Sequence, residues 1–186
     1  MFSNCYSLKN VNLSSFNISN VRNMSGLFSG CISLKKINFS SFNTEKVEDI
    51  SNMFERCKQL LEINLSSFNT EKVEDMSYMF KECLELREIN LTSFNTKCVK
   101  DLSKMFDNCI SIQKLDLSCF NIINVLSMKG MFKNCQSLKE INLSNFQSNN
   151  IFMKDMFFGC TSLNSINNCI DKEILKEYEL KNKKFD

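Results

Sequence analysis

The 186-residue sequence contains no histidine, no proline and no tryptophan, and it has only four glycines. Histidine is the usual side chain for proton transfer near neutral pH, so an enzyme built on this chain would have to work without it. The few glycines form no phosphate-binding loop, and the sequence has neither a G-x-S-x-G nor an H-E-x-x-H motif. We therefore expect no enzymatic activity, no catalytic residues, no metal ligands and no cofactor.

Net charge and long apolar runs are also scarce. The 23 basic and 21 acidic residues leave a net charge of only +2, which gives no strong field to attract nucleic acid or an anionic membrane. No apolar stretch approaches the ~20 residues that cross a bilayer, and the first residues do not read as a secretory signal. We expect neither nucleic-acid binding nor membrane insertion, and the sequence indicates no particular compartment.

A tandem repeat of 26 residues dominates what the sequence does contain. Its clearest marker is a column of cysteines with a period of 26 residues, shortened to 25 at the last step: Cys5, Cys31, Cys57, Cys83, Cys109, Cys135 and Cys160. Three residues before each cysteine stands a phenylalanine: Phe2, Phe28, Phe54, Phe80, Phe106, Phe132 and Phe157. A fixed period of this length is typical of solenoid proteins. Because the sequence opens inside a repeat, we expect it to be part of a longer product.

Within one unit, two apolar periods alternate. In residues 63–65, Ile-Asn-Leu, the apolar side chains alternate with a polar one, which predicts a short strand with one buried face. In residues 50–57 the apolar side chains follow the spacing i, i+3, i+4, i+7, which predicts one face of a two-turn helix. Ser51 stands where an N-cap belongs, as do Ser25, Ser77 and Ser103.

These elements predict an α/β solenoid, a leucine-rich-repeat-like, right-handed stack of about seven coils with a parallel β-sheet and short helices. The coils start near residues 2, 28, 54, 80, 106, 132 and 157 and form a single domain over residues 1–169. A single coil cannot bury enough apolar surface to offset the entropy of ordering its backbone, whereas a stacked coil buries both flanks. The repeats are therefore expected to fold only together.

The two ends of the predicted stack differ. Residues 170–186 place Ile170, Ile174, Leu175 and Tyr178 on one helical face, which predicts a capping helix over the last coil followed by a basic tail. An exposed dimerisation or partner helix is the alternative. The N-terminal end has no comparable cap, which leaves it open to oligomerisation or to coverage by sequence outside this chain.

The repeat unit resembles a known family. Residues 60–83 follow the pattern L-x-x-I-N-L-S-S-F-N-T-x-x-V-x-D-M-S-x-M-F-x-x-C, and related units cover residues 2 to about 168. This pattern is similar to the BspA-like leucine-rich repeats, the bacterial surface protein 26-residue repeat. The resemblance implies a stack with a parallel sheet, used at the cell surface or in secreted form for adhesion or partner contact, and it carries over no catalytic residues. An intracellular scaffold and a cysteine-dependent enzyme remain the alternatives.

The candidate binding residues lie on the predicted outer face of the strands. Asn38, Asn64, Asn90, Asp116 and Asn142 fall between the inward apolar residues of each strand, flanked by Lys36, Glu62, Glu88, Lys114 and Glu140. One interpretation is a hydrogen-bonded amide ladder that stabilises the stack. The other is a polar stripe that binds another protein or a cell-surface macromolecule. Both can hold at once.

Two further expectations concern the cysteines and one apolar segment. The repeated cysteines are expected to be buried and reduced, because their spacing lacks the close pairs of zinc sites and because stacked side chains point in parallel; disulfides or a metal are the alternatives. Cys98 is expected to be the exposed thiol. Ile122, Ile123 and Leu126 replace residues that are polar in earlier coils, so an exposed patch there would mark an interface.

Overall fold

In the computed structural model, which describes residues 1–147 and 150–181, the chain forms a repeat solenoid. Its strands are β1 (Lys114–Asp116), β2 (Glu140–Asn142) and β3 (Ser165–Asn167), and its helix is α1 (Lys172–Glu179). The strands form a parallel sheet in the order β1-β2-β3, with Leu115 opposite Ile141 and Ile141 opposite Ile166. The predicted parallel sheet is therefore present. Of the predicted basic tail, residues 182–186 lie outside the described residues.

Earlier coils pair in the same way through single parallel bridges. Asn38 pairs with Asn64 and Asn64 with Asn90, in the positions that β1 to β3 occupy later. A second ladder of parallel bridges runs along another side of the coils through Asn23, Asp49, Asp75, Asp101, Ser127 and Phe152. This second ladder joins each of its coils to the next, whereas the bridges of the strand face join the coils of Asn38, Asn64 and Asn90.

The short helices predicted within the coils are wrong. Residues 51–56 form consecutive turns, with positive φ at Asn52 (55°) and Arg56 (61°). The N–H groups of Asn52, Phe54 and Arg56 donate to carbonyls of the next coil, at 2.9, 2.9 and 2.7 Å, while the intervening N–H groups close local turns. A helix would keep all these bonds within its own segment. Here half of the hydrogen bonds join neighbouring coils instead. The apolar residues are therefore spaced as in a helix, but consecutive turns produce that spacing.

The predicted N-cap serines are wrong for the same reason. The backbone N–H of Ser51 donates to the side chain of Asp49 at 2.9 Å, and that of Ser77 donates to Asp75 at 2.7 Å. The acidic residue two positions earlier therefore closes the turn, as Asx-turns do. Ser51 itself is buried rather than placed at a helix start.

The core is built from columns of equivalent side chains. The phenylalanine rings of consecutive coils stack nearly parallel, with centroids 5.6 Å apart between Phe54 and Phe80 and 5.5 Å between Phe80 and Phe106. The cysteines beside them are buried and free at Cys31, Cys57, Cys83, Cys109, Cys135 and Cys160. This agrees with the predicted buried thiols. Cys5 is the exception and is exposed, because no coil precedes it in the structure.

The last coil is covered by α1. Asp171 caps the helix by accepting from the N–H groups of Glu173 and Ile174, each at 3.0 Å. Ile174 is fully buried, and the Tyr178 ring meets the Phe157 ring edge-on at 6.2 Å. The helix is eight residues long, and the described parts of the chain contain no helix with the length and apolarity that a bilayer span requires.

The opposite end is not covered in this way. Phe2, Val11, Phe16 and Val21 are only half-buried there. Together with neighbouring residues, Phe2, Phe16 and Val21 line a largely apolar cavity of about 300 Å³. The hydrophobic column that α1 closes at one end is therefore open at the other.

Candidate partner-binding surface

The outer face of the strands carries two parallel rows of polar side chains. The Asn row consists of Asn38, Asn64, Asn90, Asp116 and Asn142. The charged row, two residues earlier in each coil, consists of Lys36, Glu62, Glu88, Lys114 and Glu140. Alternation along a strand turns both rows outward and the apolar residue between them inward. All the candidate binding residues predicted from the sequence thus share one face, and most of them are exposed.

Between the two rows, at the coils of Lys36 and Glu62, lies a cavity of about 470 Å³, here called the strand-face groove, with Ile37 and Ile63 at its floor. Lys36 and Glu62 stand on one side of this cavity, and Asn38 and Asn64 stand on the other. The groove therefore offers an apolar floor between polar walls, as small protein-binding clefts do.

At Asn38, Asn64 and Asn90 the side chains do not form the amide ladder that was one interpretation of the sequence. The side-chain oxygen of Asn38 accepts from the N–H of Ser40 at 2.9 Å, Asn64 accepts from Ser66 at 2.9 Å, and Asn90 accepts from Thr92 at 3.0 Å. These bonds stay within one coil and close the turn that follows each strand. In the described residues, the amide nitrogens of Asn38, Asn64 and Asn90 have no protein acceptor, so they face outward as donors.

The charged row forms ion pairs between adjacent coils. Lys36 lies 2.5 Å from Glu62, and Lys114 lies 3.1 Å from Glu140. Glu88 stands between these pairs, and within residues 1–147 and 150–181 it forms no ion pair. Exposed pairs of this kind contribute little to stability. Their main effect is to set a fixed order of charges along the charged row.

Asp116 is the one carboxylate in the Asn row. The backbone N–H of Ser118 donates to it at 3.0 Å. This bond, with further hydrogen bonds from the Ser118 hydroxyl and from Asn142, lowers the pKa of Asp116 below its ordinary value. The row therefore holds a negative charge at neutral pH at this position and neutral amides elsewhere.

A second exposed surface lies on another edge of the coils. Ile123 and Leu126 are 67% and 69% exposed, and Phe152 beside them is 51% exposed. The Phe152 N–H donates to the Leu126 carbonyl at 3.0 Å, which joins the two residues across adjacent coils. Ile122, in contrast, is buried. Sequence reasoning missed Phe152, because the 25-residue step places it opposite Ser127 and outside the 26-residue columns.

The arrangement offers little for covalent chemistry. Burial raises the pKa of Cys57, Cys83 and Cys109 above the ordinary thiol value, which disfavours the thiolate that acts as nucleophile. In the described part of the chain, no group of three or more His, Cys, Asp or Glu side chains is placed to hold a metal ion. The polar side chains that the fold brings together, the Asn row and the charged row, lie on an open surface.

The pairing of each coil with its neighbours defines the class of protein: a repeat solenoid. The chain belongs to the family described as "Mycoplasma protein of unknown function, DUF285", whose model matches residues 1–89 and 60–172. Comparison with curated proteins gave no match.

Solved structures similar to this chain are leucine-rich repeat proteins. The T. pallidum leucine-rich repeat protein TpLRR has 22% identity and a TM-score of 0.43, over 90% of this chain and 60% of that one. A leucine-rich repeat protein of Bacteroides ovatus has 19% identity and a TM-score of 0.44, over 89% and 50%. A leucine-rich cell surface protein of Faecalibacterium prausnitzii has 16% identity and a TM-score of 0.37, over 100% and 65%. The chain spans less than two thirds of the length of each of these proteins.

Proposed function

We propose that this chain is a non-catalytic protein-binding or adhesion module of the BspA-like leucine-rich repeat type, which recognises a macromolecular partner through the strand-face groove. The observation that carries the proposal is the pair of polar rows, repeated coil after coil, with the apolar floor of the groove between them at the coils of Lys36 and Glu62. Two rows of this length can contact an extended surface of another protein or of a cell-surface macromolecule at many points. The amide nitrogens of Asn38, Asn64 and Asn90 are exposed donors, because the side-chain oxygen of each residue is already bonded within its own turn.

The experiment is a pull-down with mass spectrometry, using the wild-type chain and a double variant with Asn64→Arg and Asn90→Arg. Two arginines would replace the small neutral amides by bulky, positively charged side chains on the strand face, so captured proteins should be lost. The matched control changes Asn69→Arg and Asn95→Arg, which are exposed, close turns through the same kind of side-chain bond, and lie on another edge of the coils. Partners retained by the double variant but lost with the control would exclude the groove.

A second candidate is an intracellular scaffold that organises other proteins. The observation that favours it is the state of the cysteines: all ten are free, and Cys5 and Cys98 are exposed. Free exposed thiols are typical of reducing compartments. Fractionation of cells that express the full gene, with the thiols trapped at lysis, distinguishes the candidates. Surface exposure of the chain supports the adhesion module, and a cytosolic chain with free thiols supports the scaffold.

A further inference from the structure

The charged row has an order of charges that is complementary to its own reverse. From the first coil to the last it reads positive at Lys36, negative at Glu62 and Glu88, positive at Lys114 and negative at Glu140. Read backwards, the order is negative, positive, negative, negative, positive. Every position except the central Glu88 therefore meets the opposite sign when the row is laid against its own reverse.

A two-fold rotation brings about this meeting. With the axis along the strand that carries Glu88, two copies face each other with their strands in the same direction and their stacks in opposite directions. The rotation keeps the charged row opposite the charged row. The coils on the two sides of the Glu88 coil are equally spaced, with ring centroids 5.6 Å apart between Phe54 and Phe80 and 5.5 Å apart between Phe80 and Phe106, so opposite residues stay in step. Such a contact is isologous, and each pairing occurs twice.

Each ion pair already present within one chain then joins a pair from the other. Lys36 faces Glu140 of the second copy, and Glu62 faces Lys114 of the second copy. Since Lys36 also pairs with Glu62, and Lys114 with Glu140, the four charges close a square of alternating sign. The dimer contains two such squares. Networks of this kind gain more than isolated surface pairs.

The Asn row matches under the same rotation. The free amide nitrogen of Asn64 faces the carboxylate of Asp116, and Asn38 faces Asn142. The one opposition of like charges in the charged row is Glu88 against itself, and exposed Arg87 lies beside it at the axis. The next row outward is not complementary, since Lys35 faces Lys139. The charge complementarity is therefore confined to the charged row and the Asn row.

We propose that the strand face binds a second copy of this chain. The two copies form a two-fold dimer centred on Glu88, with their stacks of coils running in opposite directions. This rests on the proposed function in taking the strand face as the binding surface, and it names the partner. A second copy matches this order of charges at four of its five positions. The attraction between the rows is electrostatic, so salt must weaken it.

Sedimentation velocity of the wild-type chain tests the dimer directly. We expect dimer at low ionic strength, with association at least about tenfold weaker when salt is raised from about 50 mM to about 500 mM. A chain that stays monomeric at low salt, at concentrations of about 100 μM, overturns the proposal, since tens of micromolar is the range of weak interfaces.

Two charge variants make the test specific. The first carries Lys36→Glu and Lys114→Glu, which makes the row entirely negative; the second carries Glu62→Lys and Glu140→Lys, which makes it positive except at Glu88. Each alone should be monomeric, because its row now repels its own reverse. Mixed, the two should form a heterodimer. Circular dichroism of each variant controls for folding, and a mixture that stays monomeric overturns the proposal.

The outcomes separate this proposal from the proposed function. If the chain is monomeric, but Asn64→Arg with Asn90→Arg abolishes capture of another protein, the groove binds a foreign partner and only the dimer is wrong. If the chain forms a dimer that neither charge variant changes, the self-contact lies elsewhere. The dimer centred on Glu88 is then wrong, and the pull-down alone decides the groove's function.

Discussion

The hydroxyl of Thr70 bonds to both backbone groups of Asn95 in the next coil. It donates to the Asn95 carbonyl at 3.0 Å and accepts from the Asn95 N–H at 2.8 Å. Thr44 holds Asn69 in the same way, and Thr96 holds Asn121. These three threonines are almost completely buried. One side chain thus replaces a pair of backbone hydrogen bonds where the two coils meet.

Replacing Thr70 with valine should destabilise the solenoid. The substitution keeps the side-chain shape but leaves the N–H and the carbonyl of Asn95 without their partner. An unsatisfied buried group costs about 1–3 kcal/mol, so the free energy of unfolding in urea should fall by about 2–6 kcal/mol for the two groups together. Thr92→Val is the control, because the Thr92 hydroxyl is exposed and bonds only to Asn90. Equal losses in the two variants would show that the coil-to-coil bonds of Thr70 contribute nothing special.

The capping helix should depend on one side chain. Ile174 lies on the buried face of α1 and is fully buried, whereas Ile170, just before the helix, is 75% exposed. Ile174→Ala should lower the free energy of unfolding by about 2–4 kcal/mol, the usual cost of removing a large core side chain. Ile170→Ala should change it by less than about 0.5 kcal/mol. Thermal and urea unfolding measure both, and a large effect at Ile170 would argue that α1 packs differently.

Stability should decline at high pH because of the buried thiols. Burial raises the pKa of Cys57, Cys83 and Cys109 above the ordinary 9.0. Below pH 9 the thiols are protonated in both states, so their contribution is fully present. Above pH 9 only the unfolded chain loses these protons, and the free energy of unfolding then falls by about 1.4 kcal/mol per thiol for each pH unit.

Urea unfolding at about pH 7.5 and about pH 10 measures this loss. The Cys83→Ala variant serves as its control. It is less stable at neutral pH but has one titrating thiol fewer, so its decline between the two pH values should be smaller. Parallel declines in the variant and the wild type would contradict a protonated, buried Cys83 thiol.

Alkylation of the native protein should sort the cysteines by burial. Cys5 and Cys98 are exposed, whereas the Cys83 thiol is buried and donates to the Phe54 carbonyl at 3.2 Å. With iodoacetamide, mass spectrometry should find the two exposed cysteines modified rapidly and Cys83 only after unfolding. Rapid modification of Cys83 in the folded protein would mean that the coils open readily.

The columns of the core could be predicted from the sequence because a period of 26 residues repeats every buried position. Phe54, Cys57 and Leu60 are all fully buried, as their columns indicate. The parallel sheet followed from the alternation around Asn64. The gathering of the charged and Asn rows on one face followed from the same alternation, whereas binding at that face remains a prediction.

What could not be predicted depends on where single hydrogen bonds go. The spacing of apolar residues in 50–57 is the same for a helix and for paired turns, and only the backbone of Asn52 and Arg56, with its positive φ, separates them. The bond from Thr70 to Asn95 joins residues 25 positions apart. From the sequence alone, a column of polar residues fits an exposed surface as well as it fits buried hydrogen bonds. The position of Phe152 depends on where the last repeat loses one residue, and the periodic pattern does not show where that residue is lost.

The pairing of each coil with its immediate neighbours has an evolutionary consequence. Asp49 bridges Asp75 and Asp75 bridges Asp101, always one unit away, so removing or inserting a whole unit brings equivalent residues together again. The identical segments at residues 44–49 and 70–75 fit a copy gained in this way. Length can therefore drift among relatives while the architecture persists. An inserted unit would, however, displace Glu88 from the midpoint of its charge order. If the strand face binds a second copy, relatives with the same fold but different numbers of units would then differ in self-recognition.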